Sequence, residues 1–343
     1  MAAPKLLCDT AGMTRKRWLE CRMHGPDGKI PFTIGGSDVA AVFGVSPWTT
    51  PLELWRIKKG LMNPDDFANA TAKEMGHLLE PIVAQCYANE TGNRLIPDTG
   101  LYQHAKYPYA LANLDSRMQA DGEDGILECK TTTYHKAGDW DDDMIPYHYE
   151  LQVRFYLAVM DLEFADICCM WGFNPENDMA IRRINRDLII EAYIFERLDA
   201  FIASLVANQE PSMDDVKPEV AMASLARIYA KSVSGLPTVE FGTKHEKHLR
   251  QIAELQAANN AMREQIKKNE SEVNAYSVQI AVLMKEHEHG IFKAPSENLL
   301  VDYATKASRR VDSNLLKSKY PVIHKEVLKI SSSRKIKVTV QPT

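Results

Sequence analysis

Apolar positions along the chain change period several times, and each change marks an element. Around Trp18, Leu19 and Cys21 a short helix is expected, followed by the turn-rich loop HGPDGKIP. After Gly35-Gly36-Ser37-Asp38 comes VAAVFG, which reads as a helix capped by Ser37 or Asp38. The turn SPWTTP leads into a second helix, LELWRIKKG, with cations in its last turn and Gly60 at its end. Residues 71–91 carry Met75, Leu79, Ile82, Val83 and Cys86 at helical spacing. Pro81 lies inside that run and lacks a backbone donor, so a kink or restart is expected just after Glu80.

From 93 to 133 the pattern shortens. LIPDTGLYQH, YALANLDSRMQA and GILECKTTT are short, apolar and bounded by turns, as strands are. Asp121-Gly122 and Asp124-Gly125 mark the turn before GILECK. Residues 146–160 return to helix, ADICCMWGF reads as a buried strand, and 187–207 form an amphipathic helix. Strands on either side of a helix in one region make a mixed α/β sheet core. Residues 210–240, with Pro211, Pro218 and Pro237, read as a partly helical connector.

The pattern then becomes a seven-residue repeat. Ile252, Asn259, Ile266, Val273 and Ile280 share one core position, and Leu255, Met262, Asn269, Tyr276 and Leu283 the other. The two asparagines would set register at a cost in stability. Such a seam closes either on another copy of the chain or back on its own. A basic segment follows, from Lys306 to Lys337, ending in the strand-like KIKVTV.

Composition changes this picture little. At 343 residues the chain is too long for one ordinary core. No apolar run reaches the roughly 18 residues of a membrane span, and the first residues lack a secretory core, so a cytoplasmic protein with no membrane partner is expected. Cys8, Cys21, Cys86, Cys129, Cys168 and Cys169 are scattered without a CxxC pair, which suggests neither a disulfide framework nor a zinc site. The net charge of -5 argues mildly against nucleic acid, but the basic tail allows a basic face within an acidic total.

The chemistry concentrates at Asp115 and Glu128-Cys129-Lys130. Alternation along a strand puts Glu128 and Lys130 on one face and Cys129 in the core. If the strand holding Asp115 pairs with this one, two carboxylates meet at a sheet edge and offer hard oxygens to Mg²⁺. The ion would stabilise charge on a phosphate, and Lys130 would orient or deprotonate a water if a cationic surrounding lowered its pKa. Glu80 would add a ligand from the preceding helix. A buried structural ion pair is the rival reading. The tripeptide Asp215-Val216-Lys217, in the connector, repeats the acid-x-Lys pattern without that context and reads as chance.

Four ordered segments extend the pattern: IGGSDVAAVFGVSPWTTPLELW, GHLLEP, ANLDSRMQADGEDGILECKTT and ELQVRFYLAV followed by ADICCMWGF. Together they resemble the PD-(D/E)xK nuclease superfamily and, within it, the YqaJ-like viral recombinase, lambda-exonuclease-type family, over residues 15–205. The resemblance implies a restriction-endonuclease-like core over residues 1–210, a mixed central sheet flanked by helices. A connector over 211–243, a coiled-coil-like helix over 244–288 and a basic module over 289–343 complete the expected organisation. It further implies that Asp115, Glu128, the Cys129 carbonyl and Glu80 bind metal, that Lys130 positions the attacking water, and that Gln152 touches the centre from the next helix. Ser37 and Arg22 would hold a DNA 5′-phosphate. Ser116 stands where the family commonly has glycine.

The function so implied is a Mg²⁺-dependent double-strand DNA exonuclease, with Mn²⁺ able to substitute, that works 5′ to 3′ and leaves 3′ single strands. Expected partners are DNA ends, a single-strand annealing recombinase protein and further copies of the chain in a ring. Alternatives are an endonuclease or repair nuclease with the same centre, or a catalytically silent DNA-end-binding scaffold. His77, His104, His135 and His148 lack metal spacing and read as surface or packing residues. The acid run Asp139, Asp141, Asp142 and Asp143 reads as a solvated loop, and Trp48 and Trp55 as core residues before base-stacking ones.

Overall fold

Positive φ at both Asp121 (53°) and Gly122 (85°) gives the mirror-image turn whose twist matches that of paired strands. The hairpin it closes organises the first part of the computed structural model. The structure describes residues 3–63, 70–172, 174–230, 232–293, 295–306 and 312–327. These fall into two compact units, Met1–Tyr229 and Ala230–Thr343.

In the first unit the strands are β1 (Lys5–Asp9), β2 (Ile34–Gly35), β3 (Arg94–Ile96), β4 (Gly100–Gln103), β5 (Ala110–Asn113), β6 (Ser116–Ala120), β7 (Glu123–Thr131), β8 (Phe164–Met170) and β9 (Met179–Asn185). The helices are α1 (Arg15–His24), α2 (Gly36–Val42), α3 (Pro51–Lys58), α4 (Ala70–Thr91), α5 (Tyr147–Met160), α6 (Leu188–Val206) and α7 (Pro218–Ile228). Two sheets form, in the orders β1-β4-β5-β2 and β3-β6-β7-β8-β9. In the second sheet β7 runs parallel to β8, with α5 in the connection, while β6 and β9 are antiparallel to their neighbours. This is the expected mixed sheet flanked by helices.

Alternation along β7 and β8 gives the second sheet two apolar faces. Leu127, Cys129 and Cys168 pack with Val83 and Tyr87 of α4. Ile126, Ile167 and Cys169 join the larger core with Leu151, Phe155 and Val159 of α5 and Ile194 and Leu198 of α6. Glu128 and Lys130 share this second face, so β7 carries its charged pair under α5.

Several expectations are corrected. The residue that caps α2 is Gly35, and Asp38 reaches back from the first turn to accept its N–H at 3.0 Å, so neither Ser37 nor Asp38 is the cap. Helix α4 runs unbroken through Pro81 without a restart, and Met75 and Ile82 lie exposed while Val83 and Tyr87 form the buried stripe. Asp124-Gly125 lies inside β7, where a Cβ on Gly125 would meet the Phe164 ring at 2.6 Å. The first unit extends past residue 210, because α7 packs into it: Ser224 shares a hydrogen bond of 2.8 Å with Thr50, and Arg227 pairs with buried Glu53 at 2.5 Å.

In the second unit α8 (Glu246–Met284) is one helix of 39 residues. A hairpin of β10 (His289–Lys293) and β11 (Asn298–Asp302) follows, then α9 (Ser313–Lys319) and α10 (Pro321–Val327). Arg309, Arg310 and the stretch from Lys329 through KIKVTV lie outside the described residues. Among the described residues no helix is long and apolar enough to cross a membrane.

Candidate active site

Asp115 sits in the link between β5 and β6, where the chain leaves one sheet for the other. The antiparallel register, with Ser116 facing Leu127, continues one step to set Asp115 beside Glu128. The Asp115 side chain fixes this by accepting the Cys129 N–H at 2.8 Å. The Ser116 hydroxyl donates to the Ile96 carbonyl at 3.2 Å, which ties β6 to β3.

Glu128 is buried, with 1% of its side chain exposed. Its Oε1 accepts from both Lys130 Nζ and Gln152 Nε2, the latter at 2.6 Å. Its Oε2 is buried with no hydrogen-bond partner. Burial, and then the charge of Asp115, push the Glu128 carboxyl up to about 8. Burial also raises Asp115 above the usual carboxylate range, and burial followed by the Asp115 charge raises Glu80. Three carboxyl groups therefore repel one another around a single lysine. Glu80 reaches the group from α4 and also accepts from, or donates to, His77 Nδ1 at 2.9 Å.

Lys130 differs from expectation. Burial disfavours its ammonium, but Glu128 and Asp115 outweigh burial and raise its pKa above the ordinary value. Its neighbours are carboxylates, not cations, and in the metal-free chain they favour its ammonium form. Its Nζ also lies 5.1 Å from the centre of the Tyr149 ring.

Helix α5 supplies the facing wall. Tyr149, Gln152 and Tyr156 are spaced for one helix face, and Gln152 Nε2 lies 3.3 Å from the Tyr156 hydroxyl. Two close approaches explain the paired glycines: a Cβ on Gly36 would meet the Tyr156 ring at 2.5 Å, and one on Gly35 would strike the Arg22 guanidinium. Arg22 donates to Ser37 Oγ at 3.2 Å and lies over Trp18. The HGPDGKIP loop thus folds back so that the two expected phosphate-binding residues meet. Beside them buried Lys58 donates to Asp38 at 2.8 Å. The structure accordingly gathers Glu80, Asp115, Glu128, Lys130 and Gln152, and pairs Arg22 with Ser37 of α2, whose neighbour Gly36 packs against Tyr156 and Gln152.

Sequence reading missed Tyr149, Tyr156 and His77. The spacing of the two tyrosines with Gln152 was the available signal, whereas nothing distinguished His77 from the other histidines. It also grouped Trp48 with Trp55. Trp55 is buried, but Trp48 is 57% exposed with its edge against His148.

The donors suit a hard divalent cation. Among the described residues no three His, Cys, Asp or Glu side chains close into a cage. Mg²⁺ does not require one, since it keeps several waters and takes one or two carboxylates plus substrate phosphate. The unsatisfied Glu128 Oε2 and the raised carboxyls fit an ion that would relieve both.

Against known proteins, the chain is 28% identical over 334 residues to the protein YqaJ of Bacillus subtilis (strain 168), covering 96% of each. A crystal structure of an alkaline exonuclease from Laribacter hongkongensis matches with 21% identity and a TM-score of 0.45, over 56% of this chain and 93% of that one. A phage-related exonuclease from Haemophilus somnus 129PT matches with 13% identity and a TM-score of 0.41, over 51% and 93%. Residues 17–163, which hold Arg22, Ser37, Glu80, Asp115, Glu128, Lys130 and Gln152, match the model of the YqaJ-like viral recombinase domain.

Proposed function

We propose that this chain is a metal-dependent double-strand DNA exonuclease that removes nucleotides from the 5′-ended strand and leaves a 3′ single strand. The observation that carries the reading is the group of Glu80, Asp115 and Glu128 around Lys130, with a buried Glu128 oxygen left unpaired. Three mutually repelling carboxyls have no structural advantage without a cation, whereas a structural ion pair would need only one.

Asp115 and Glu128 would hold Mg²⁺, with the Cys129 carbonyl and Glu80 as further oxygens available to it. When bound, such an ion would supply Lewis-acid stabilisation of the charge on the scissile phosphate. Gln152 fixes the Glu128 carboxylate through Oε1, which leaves Oε2 for the ion. Lys130, held protonated, orients the attacking water and counters negative charge as it develops. Arg22 and Ser37 take the terminal 5′-phosphate, which sets polarity. A single-strand annealing protein would receive the 3′ strand, and further copies of the chain would enclose the duplex in a ring.

Digestion of end-labelled linear duplexes beside covalently closed circles tests this reading. Loss of label from 5′ ends in Mg²⁺ or Mn²⁺, with closed circles intact, is expected. Cleavage of closed circles would make it an endonuclease. End binding without cleavage in either metal would make it a scaffold.

A further inference from the structure

The long helix α8 carries a feature the nuclease reading does not use. At 39 residues it spans about 58 Å. Every residue from 257 to 280 is exposed. Met262 (64%), Ile266 (55%) and Val273 (60%) are among them, on the seam of the seven-residue repeat. Such a seam on a long helix, apolar but for Asn259 and Asn269, is the sign of a helical partner.

We infer that α8 is one strand of a parallel, in-register two-stranded coiled coil whose other strand is α8 of a second copy of this chain. Residue type selects this partner. One core position holds Ile252, Asn259, Ile266, Val273 and Ile280, β-branched apart from the asparagine, and the other holds Leu255, Met262, Asn269, Tyr276 and Leu283, all unbranched at Cβ. β-branched residues at the first position with leucine at the second favour two parallel strands. In that register each layer meets its own kind, so Asn259 faces the partner's Asn259 and Asn269 the partner's Asn269. Each polar layer is then satisfied by itself, while a shift of one repeat would set Asn259 against the partner's Ile266. The Asn269 side-chain oxygen already accepts from Gln265 at 2.9 Å, so its NH₂ group is what it offers across the seam.

The flanking positions agree. In parallel register Gln265 flanks the partner's Glu270, Ala258 the partner's Arg263, and Glu272 the partner's Ser277. No like charges oppose one another. The contact is independent of the proposed activity and brings two copies together side by side along one direction.

The test uses the full chain. Leu255→Cys and Leu283→Cys variants are made separately and oxidised, and any disulfide is located by peptide mass. Each variant is expected to cross-link to itself through the new cysteine, at both ends of the helix. A parallel in-register pair brings like residues together, whereas an antiparallel pair separates the two copies of residue 255 by tens of ångströms. If neither variant cross-links, the helix is antiparallel, closes on its own chain or has another partner, and the inference fails. Adding Asn259→Lys to Leu255→Cys should cut the cross-linking rate at low salt at least several-fold with helix content unchanged, because two lysines would then share a layer. An unchanged rate would show that residue 259 does not face itself and would also overturn the inference.

Discussion

The Asp115 carboxylate holds the backbone N–H of Cys129 at 2.8 Å, so a residue outside any strand is tied to β7 directly beside Glu128. Asparagine keeps an oxygen that can accept this bond but loses the charge. Asp115→Asn should therefore retain the fold while Mn²⁺ binding, read by calorimetry, falls at least about 10-fold. Affinity equal to wild type would remove Asp115 from the metal site.

Lys130→Ala should keep the fold and DNA-end binding but lose about 100-fold or more in cleavage rate. Measured single-turnover rates check this. A variant that cleaves at the wild-type rate would make the lysine a structural partner of Glu128 and nothing more.

The Glu128 carboxyl gives a pH dependence of definite sign. It binds its proton more tightly in the folded chain than in the unfolded one, where its ordinary value of 4.5 applies, and it titrates at about 8 when folded. Metal-free protein should therefore lose stability as pH rises from 4.5 towards 8, by an amount on the order of a few kcal/mol. Glu128→Gln, which cannot ionise, should flatten this slope in thermal melts while abolishing cleavage. A wild-type slope of the opposite sign would contradict the burial argument.

Gln152→Ala should slow cleavage about 10- to 100-fold, because the Glu128 carboxylate loses the donor that aims it. Gly36→Ala should cost about 1–3 kcal/mol of stability in denaturant unfolding, since its Cβ would enter the Tyr156 ring and press on Gln152.

Arg22→Ala should remove most of the preference for 5′-phosphorylated over 5′-hydroxyl ends. A charge-assisted hydrogen bond is worth about 1.5–3 kcal/mol, or roughly a 10- to 100-fold ratio. Competition between the two ends on otherwise identical duplexes measures it, and a ratio unchanged from wild type would free Arg22 from that role.

Local pattern made much of this legible. Alternation along Glu128-Cys129-Lys130 and the turn at Asp121-Gly122 are decided within a few residues, and both appear where the sequence places them. What escaped depends on distance. The division of the strands between two sheets separates β5 from β6 only a short link apart, and no local period marks it. Glu53 gives no sign in the sequence that Arg227 will neutralise it, so α7 looked like linker. The direction of the Lys130 shift depends on which charges surround it, and the strand pattern alone does not supply the position of every neighbour.

The crossing at Leu114-Asp115 ties chemistry to architecture. Asp115 precedes β6 by one residue and is bonded to β7, so its carboxylate is held by the same sheet as Glu128, while the strand just before it belongs to the other sheet. A shift passed along β5 to Leu114 would therefore meet the Cys129 bond before it could move the carboxylate.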